Sequence, residues 1–181
     1  GHCFIGLGPD EVGDPPVPEI LAYEDEIWAE YRQRLGPRVD MANILAGTVF
    51  PNFSLLRAAA RTFRVWHPKG PDAVEIWSWN FVDKAAPPQV KDAYRLAAIR
   101  GFSPSGTFEQ DDMDNWEGCS QAGRGAVSRR LQLNIQMGMG HEGFKEDFNA
   151  WVSESRLSES NHREYYRHWA RLMAGEPVWL R

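Results

Sequence analysis

The segment from Gly106 to Cys119, Gly-Thr-Phe-Glu-Gln-Asp-Asp-Met-Asp-Asn-Trp-Glu-Gly-Cys, constrains this chain most, because helical spacing puts a carboxylate among apolar side chains. At about 3.6 residues per turn, Phe108, Asp112, Trp116 and Cys119 share one helix face. The neighbouring acids Glu109, Asp111, Asp114 and Glu117 are expected to point elsewhere, those near the helix start being favoured by its positive dipole end. A carboxylate flanked by two aromatic rings must meet a cation, accept hydrogen bonds or take up a proton, because an isolated buried charge is very costly. Two readings of Asp112 therefore stand: a metal ligand, or a carboxylate paired with an arginine or capped by backbone donors.

With 181 residues and 43% apolar content, the chain can bury one substantial core, and one domain is expected. The net charge is −5, with acids and bases interspersed, so no basic stripe recommends nucleic acid or an anionic membrane. Eight tryptophans and nine phenylalanines suit either a large core or a pocket for flat apolar ligands. Cys3 and Cys119 form neither a disulfide framework nor a CxxC pattern, which points to a reducing, cytoplasmic setting. No run approaches the roughly 20 apolar residues needed to span a bilayer. The N-terminus lacks a signal-peptide layout; Gly1 to Gly8 starts at once as an apolar strand, without a Met, as a chain cut from a longer one would.

After that strand, Pro9 to Pro18 reads as a loop, and Pro18 is placed to start a helix carrying Ile20, Leu21, Tyr23, Ile27, Trp28, Tyr31 and Leu35 as its apolar stripe, closed by Gly36-Pro37. A weaker helical stretch is expected over Val39 to Ala46. Thr48 to Phe50, Ser54 to Leu56, Thr62 to Trp66 and Ala73 to Val82 read as strands, the last two forming an antiparallel hairpin across the turn-rich His67 to Asp72. Val74, Ile76, Trp77 and Trp79 fall on both parities, so protein is expected on both faces of that strand. His67 reads as a surface or turn histidine rather than a ligand. The next helix runs from the Ala85 to Gln89 stretch to Arg100 with Val90, Ala93, Leu96, Ala97 and Ile99 inward. The turn from Phe102 to Thr107 then brings Phe102 and Phe108 towards each other. Beyond the break at Gly123 to Gly125, Leu131, Leu133 and Ile135 alternate as a further strand. A final helix from Ser160 to Ala174 presents Tyr165, Tyr166, Trp169, Leu172 and Met173 as its packing face, and its His162 and His168 point to different sides.

There is no GxGxxG, Walker loop, HExxH or GxSxG. Three segments do carry a resemblance. Gly47-Thr-Val-Phe-Pro-Asn-Phe-Ser-Leu-Leu56, Arg64-Val-Trp-His-Pro-Lys-Gly-Pro-Asp72 with Glu75-Ile-Trp77, and Ser105-Gly-Thr-Phe-Glu-Gln-Asp-Asp-Met-Asp-Asn-Trp116 resemble, in order and spacing, the catalytic α-subunit of Rieske-type aromatic-ring-hydroxylating dioxygenases. The last is the most specific, an FxxDDxxNW-like pattern. The likeness covers essentially the whole chain, and Gly1-His2 is similar to a Gly-His segment within the family's catalytic domain.

The resemblance implies an α+β fold, an antiparallel twisted sheet gripping a long helix (helix-grip), truncated at its N-terminus, with residues 1–181 as the C-terminal part of a single catalytic domain. It implies a mononuclear Fe(II) held by two histidines and one aspartate, the aspartate matching Asp112. It implies a pocket for an aromatic small molecule and O2, lined by Phe102, Phe108 and Leu56 together with Ala46 and Thr48. The family's iron histidines and the [2Fe–2S] Rieske cluster ligands, two cysteines and two histidines, would precede residue 1; no Cys-x-His occurs here. NADH-derived electrons through a ferredoxin and its reductase, a β-subunit in an α3β3 assembly, and a cis-dihydrodiol product are implied too. No arginine is expected to face the pocket. A sheet cut short would expose an edge or an apolar face and promote association. The competing reading is a helix-grip domain without catalysis that binds an apolar small molecule, its Asp112 hydrogen-bonded rather than metallated.

Overall fold

The computed structural model describes residues 2–6, 17–36, 38–39, 43–58 and 60–176. The aromatic and β-branched runs form one five-stranded antiparallel sheet in the order β1 (His2–Gly6), β2 (Ile44–Val49), β3 (Phe53–Arg57), β4 (Arg61–Pro68), β5 (Val74–Asn80). Register decides which residues share a face. Thr48 pairs with Ser54, Ser54 with Arg64 and Arg64 with Ser78, while Ala46 pairs with Leu56 and Leu56 with Thr62. Because side chains alternate, Ala46, Thr48, Ser54, Leu56, Thr62 and Arg64 therefore stand on one side of the sheet. The opposite side carries the aromatic pairs Phe53–Phe63, Phe63–Phe81 and Trp77–Trp79, with centroids 5.6, 4.2 and 6.2 Å apart.

Helix α1 (Pro18–Leu35) starts on a proline, whose missing N–H is no loss in the first turn, and stops at Gly36, whose φ of 54° suits glycine. Its Ile20, Tyr23 and Ile27 pack with Ala86, Val90 and Tyr94, the last two on α2 (Pro88–Phe102), to make the core. Tyr94 is 0% exposed, and its hydroxyl donates to Glu24, which also pairs with Arg57 at 2.8 Å and with Arg61. One glutamate thus ties α1 to β3, β4 and α2. The Tyr23 hydroxyl donates to Asp83 Oδ2 at 2.7 Å. Burial and that hydrogen bond push Tyr23 up to about 12. The Ala85 amide, and after it the Tyr23 hydroxyl, hold Asp83 below its ordinary 3.8.

Helix α3 (Thr107–Gly123) follows, then a small hairpin of β6 (Glu142–Lys145) and β7 (Ala150–Ser153), and α4 (Ser160–Met173). Helix α4 reaches β1: Asn161 Nδ2 donates to the Phe4 carbonyl at 3.2 Å, while Tyr165 and His168 meet Phe50 at 5.3 and 4.7 Å. Among the described residues no helix is long and apolar enough to cross a membrane.

The overall expectation of helices on an antiparallel sheet holds, and several local ones do not. Residues 44–46 are strand rather than weak helix, because β2 hydrogen-bonds to both β1 and β3, and pairing on two sides outweighs local propensity. The loop expected from Pro9 to Pro18 lies, through residue 16, outside the described residues. Strand β5 is not covered on both faces, since Val74 on one parity and Trp77 and Trp79 on the other are about half exposed. On α2 the buried residues are Val90, Tyr94, Ala98 and Gly101, which leaves Leu96 and Ile99 on the exposed side. Leu131 to Ile135 forms no strand, and Leu133 is 87% exposed. The stretch is tied instead to α4, whose Arg163 Nη1 donates to the carbonyls of Ile135 and Met137 at 2.8 and 3.0 Å. Arg163 is also the buried residue of α4, whereas Tyr166, Trp169, Leu172 and Met173 are exposed.

Replacing Tyr94 by Ala should lower the unfolding free energy by about 3–5 kcal/mol, the cost of truncating a buried aromatic side chain, and urea titration measures this. Asp83 stabilises the fold at pH above its ordinary 3.8, and that stabilisation is lost as pH falls through its lower folded value. The urea midpoint of Asp83→Asn should accordingly fall less steeply on the acid side than that of the parent.

Candidate active site

Helix α2 ends at Phe102, and α3 begins at Thr107. The Gly106 amide donates to the Ser103 carbonyl at 2.7 Å. A Cβ on Gly106 would lie 2.5 Å from the carbonyl carbon and oxygen of Gly101, so only a glycine lets the chain reverse this tightly. The reversal sets the Phe102 and Phe108 rings 5.5 Å apart and tilted by 33°. From there α3 lies against the Thr48–Arg64 side of the sheet. Trp116 meets Trp66 edge-on at 5.3 Å, and Trp66 Nε1 is held by Ser54 Oγ at 2.8 Å.

Between helix and sheet is a cavity of about 420 Å³. Asp112, Phe102, Phe108, Leu56, Ala46 and Thr48, the residues singled out in the sequence, all line it. Their segments are far apart in the chain; strand register brings the sheet members together and the glycine turn delivers the helix members. Asp112 is half-buried and meets no hydrogen bond or ion pair from another described residue. Among the described residues, no group of three His, Cys, Asp or Glu side chains is close enough to hold a metal, so Asp112 is a single donor here. A larger cavity of about 680 Å³ shares Phe102 and Phe108 but does not reach Asp112. The smaller one is the candidate site because it joins a carboxylate to aromatic and aliphatic walls.

Three expectations need correction. Glu109 does not point away: it is 5% exposed, and its Oε2 accepts from Arg64 Nη2 at 2.6 Å. An arginine-paired carboxylate does exist on α3, but it lies one turn before Asp112. Arg64, 7% exposed, lines the cavity, contrary to the expectation of no arginine there, and its guanidinium sits 5.5 Å from the Phe102 ring centre. The shared face of α3 is also not a buried one, since Phe108, Trp116 and Cys119 are all exposed. Proximity to the helix start accounts for an acid at Glu109 but not for its burial. The signal for its partner was Arg64 itself, a charge at an inward position of β4 between Thr62 and Trp66.

Residues 20–175 match the family model described as ring hydroxylating alpha subunit (catalytic domain). The chain belongs to this family. As a ring-hydroxylating α-subunit sequence it is 39% identical over 150 residues to the biphenyl dioxygenase subunit alpha of Metapseudomonas furukawaii, covering 81% of this chain and 32% of that protein. It is 38% identical over 179 residues to the biphenyl 2,3-dioxygenase subunit alpha of Rhodococcus jostii, covering 93% of this chain and 38% of that one. The chain thus spans about a third of the length of these curated relatives. Its fold matches the crystal structure of naphthalene 1,2-dioxygenase from Rhodococcus sp. bound to indole, with a TM-score of 0.71 and 31% identity, over 98% of this chain and 43% of the other.

Removing one partner of a buried ion pair leaves the other uncompensated. Glu109→Ala should therefore cost about 3–5 kcal/mol, and Glu109→Leu combined with Arg64→Met should recover most of it. Urea titration of the single and double variants gives the comparison; strictly additive losses would show that the pair is not coupled.

Proposed function

We propose that this chain is the C-terminal part of the catalytic domain of an aromatic-ring dioxygenase, and that the Asp112 cavity holds the ring that is oxidised. The observation that carries the reading is a carboxylate left unengaged by other described residues in the wall of a cavity it shares with Phe102, Phe108 and Leu56, where the charged Arg64 is paired with Glu109.

Asp112 fits a ferrous centre as the single carboxylate of a two-histidine, one-carboxylate set; the histidines would come from the rest of the protein. When bound, the iron supplies the activation of dioxygen. The residues of this chain do the remaining work. Asp112 contributes an anionic oxygen that offsets metal charge, and Phe102 and Phe108, packed against each other, form one aromatic wall for the substrate ring. Leu56, Ala46 and Thr48 form the sheet side of the cavity. The one cation among the described lining residues, Arg64, is already neutralised by Glu109, so the cavity favours an uncharged aromatic molecule over an aryl carboxylate. Both atoms of O2 go to adjacent ring carbons, with two electrons and two protons, to give a cis-dihydrodiol. Those electrons derive from NADH through a reductase, a ferredoxin and a Rieske [2Fe–2S] cluster, in an α3β3 assembly with a β-subunit.

In the intact enzyme, Asp112→Ala should lose its mononuclear iron and at least about a hundredfold in turnover, the scale of losing a group that assembles the reaction. Elemental analysis per protomer and chromatography of the diol check this. Full iron occupancy together with product formation would refute the assignment.

A further inference from the structure

We propose that Arg64 is the positioning residue that decides which edge of the aromatic ring faces Asp112, acting through Phe102. The proposal rests on the reading of the cavity as an oxygenase pocket.

Three contacts meet in this one residue. Arg64 stands on β4, an interior strand of the sheet, so its Cα is held by pairing to Ser54 on one side and to Ser78 on the other. Its Nη2 donates to Glu109 on α3, one turn before Asp112. Its guanidinium lies 5.5 Å from the centre of the Phe102 ring at the end of α2. Sheet, α3 and α2 are thus referred to a single planar group, and the cavity wall formed by Phe102 and the donor Asp112 are both referenced to it.

The chemistry suits a spacer rather than a substrate-binding charge. Glu109 cancels the charge, and both partners are buried, so the pair offers little to an anionic substrate. The guanidinium fork is rigid and stacks on aromatic faces, whereas a lysine ammonium is a point charge on a flexible stem. Exchanging one for the other keeps the charge near Glu109 and removes the flat surface behind Phe102. If Phe102 shifts or tilts, the substrate ring it contacts presents a different pair of carbons, while Asp112 stays where α3 holds it.

The test uses the intact enzyme and biphenyl, whose 2,3 and 3,4 edges are inequivalent. Arg64→Lys should retain iron and oxidise biphenyl but change the ratio of the two cis-dihydrodiols by about three- to tenfold, the range supported by one ring–cation contact. In a Phe102→Leu background the same exchange should leave the ratio unchanged, because the ring through which Arg64 acts is gone. A loss of stability alone would not move a product ratio. An unchanged ratio in Arg64→Lys, or an equal change with and without Phe102, overturns the proposal. Should Arg64→Lys fail to fold, Glu109→Gln decides, since it removes the charge that anchors the guanidinium and leaves the arginine in place; a ratio that shifts with Phe102 present and not in the Phe102→Leu background supports the proposal, and any other outcome overturns it. If the parent enzyme yields no diol from biphenyl, benzene or naphthalene, the oxygenase reading itself fails, an outcome separate from all of these.

Discussion

A buried ion pair between Arg64 and Glu109 ties α3 to the middle of the sheet, and the candidate site is built around that tie. Such a pair is held in place as much by the cost of separating its members as by their attraction: either charge alone in this setting would be strongly unfavourable. The helix therefore has one depth and one rotation at which both charges are met. That rotation turns Asp112 towards the cavity and brings Trp116 against Trp66. The stable pair thus leaves the neighbouring carboxylate unmatched.

A second constraint comes from sterics. The reversal at Gly101 to Gly106 packs backbone against backbone, where no side chain fits, and it sets two tilted phenylalanine rings side by side in the cavity lining. A third is the network around Glu24, which joins α1, two strands and Tyr94. It supports α2 from behind, and α2 supports Phe102. The scaffold and the cavity are therefore linked through one helix, and damage to the core around Tyr94 reaches the cavity through α2.

Much of the site was legible in the sequence because its signals are local. An acid at a core-facing helical position, a glycine turn between two phenylalanines and alternating strands can each be read from spacing alone, and resemblance to ring-hydroxylating α-subunits joined them. The partner of each charge was not legible. Glu109 and Asp112 are both plausible inward acids, and their difference depends on where Arg64 arrives from a strand 45 residues earlier. The same limit explains Leu131 to Ile135: alternation describes a strand only if a neighbouring strand shares its hydrogen bonds, and here the Ile135 carbonyl is taken by Arg163 instead. It also explains α4, where apolar residues outnumber those for which the described chain provides a surface.

By itself, the order of residues determined the helix that starts at Pro18 and stops at Gly36, the strand hairpin and the tight turn before α3. These follow from short-range sterics and periodicity, which act within a few residues. Only the tertiary structure decided that Arg64 would satisfy Glu109 and leave Asp112 open, that the sheet register would gather Ala46, Thr48 and Leu56 beneath it, and that β5 would be an edge. Those outcomes depend on distances between segments remote in the chain, and electrostatic pairing and strand register are settled only when the segments meet.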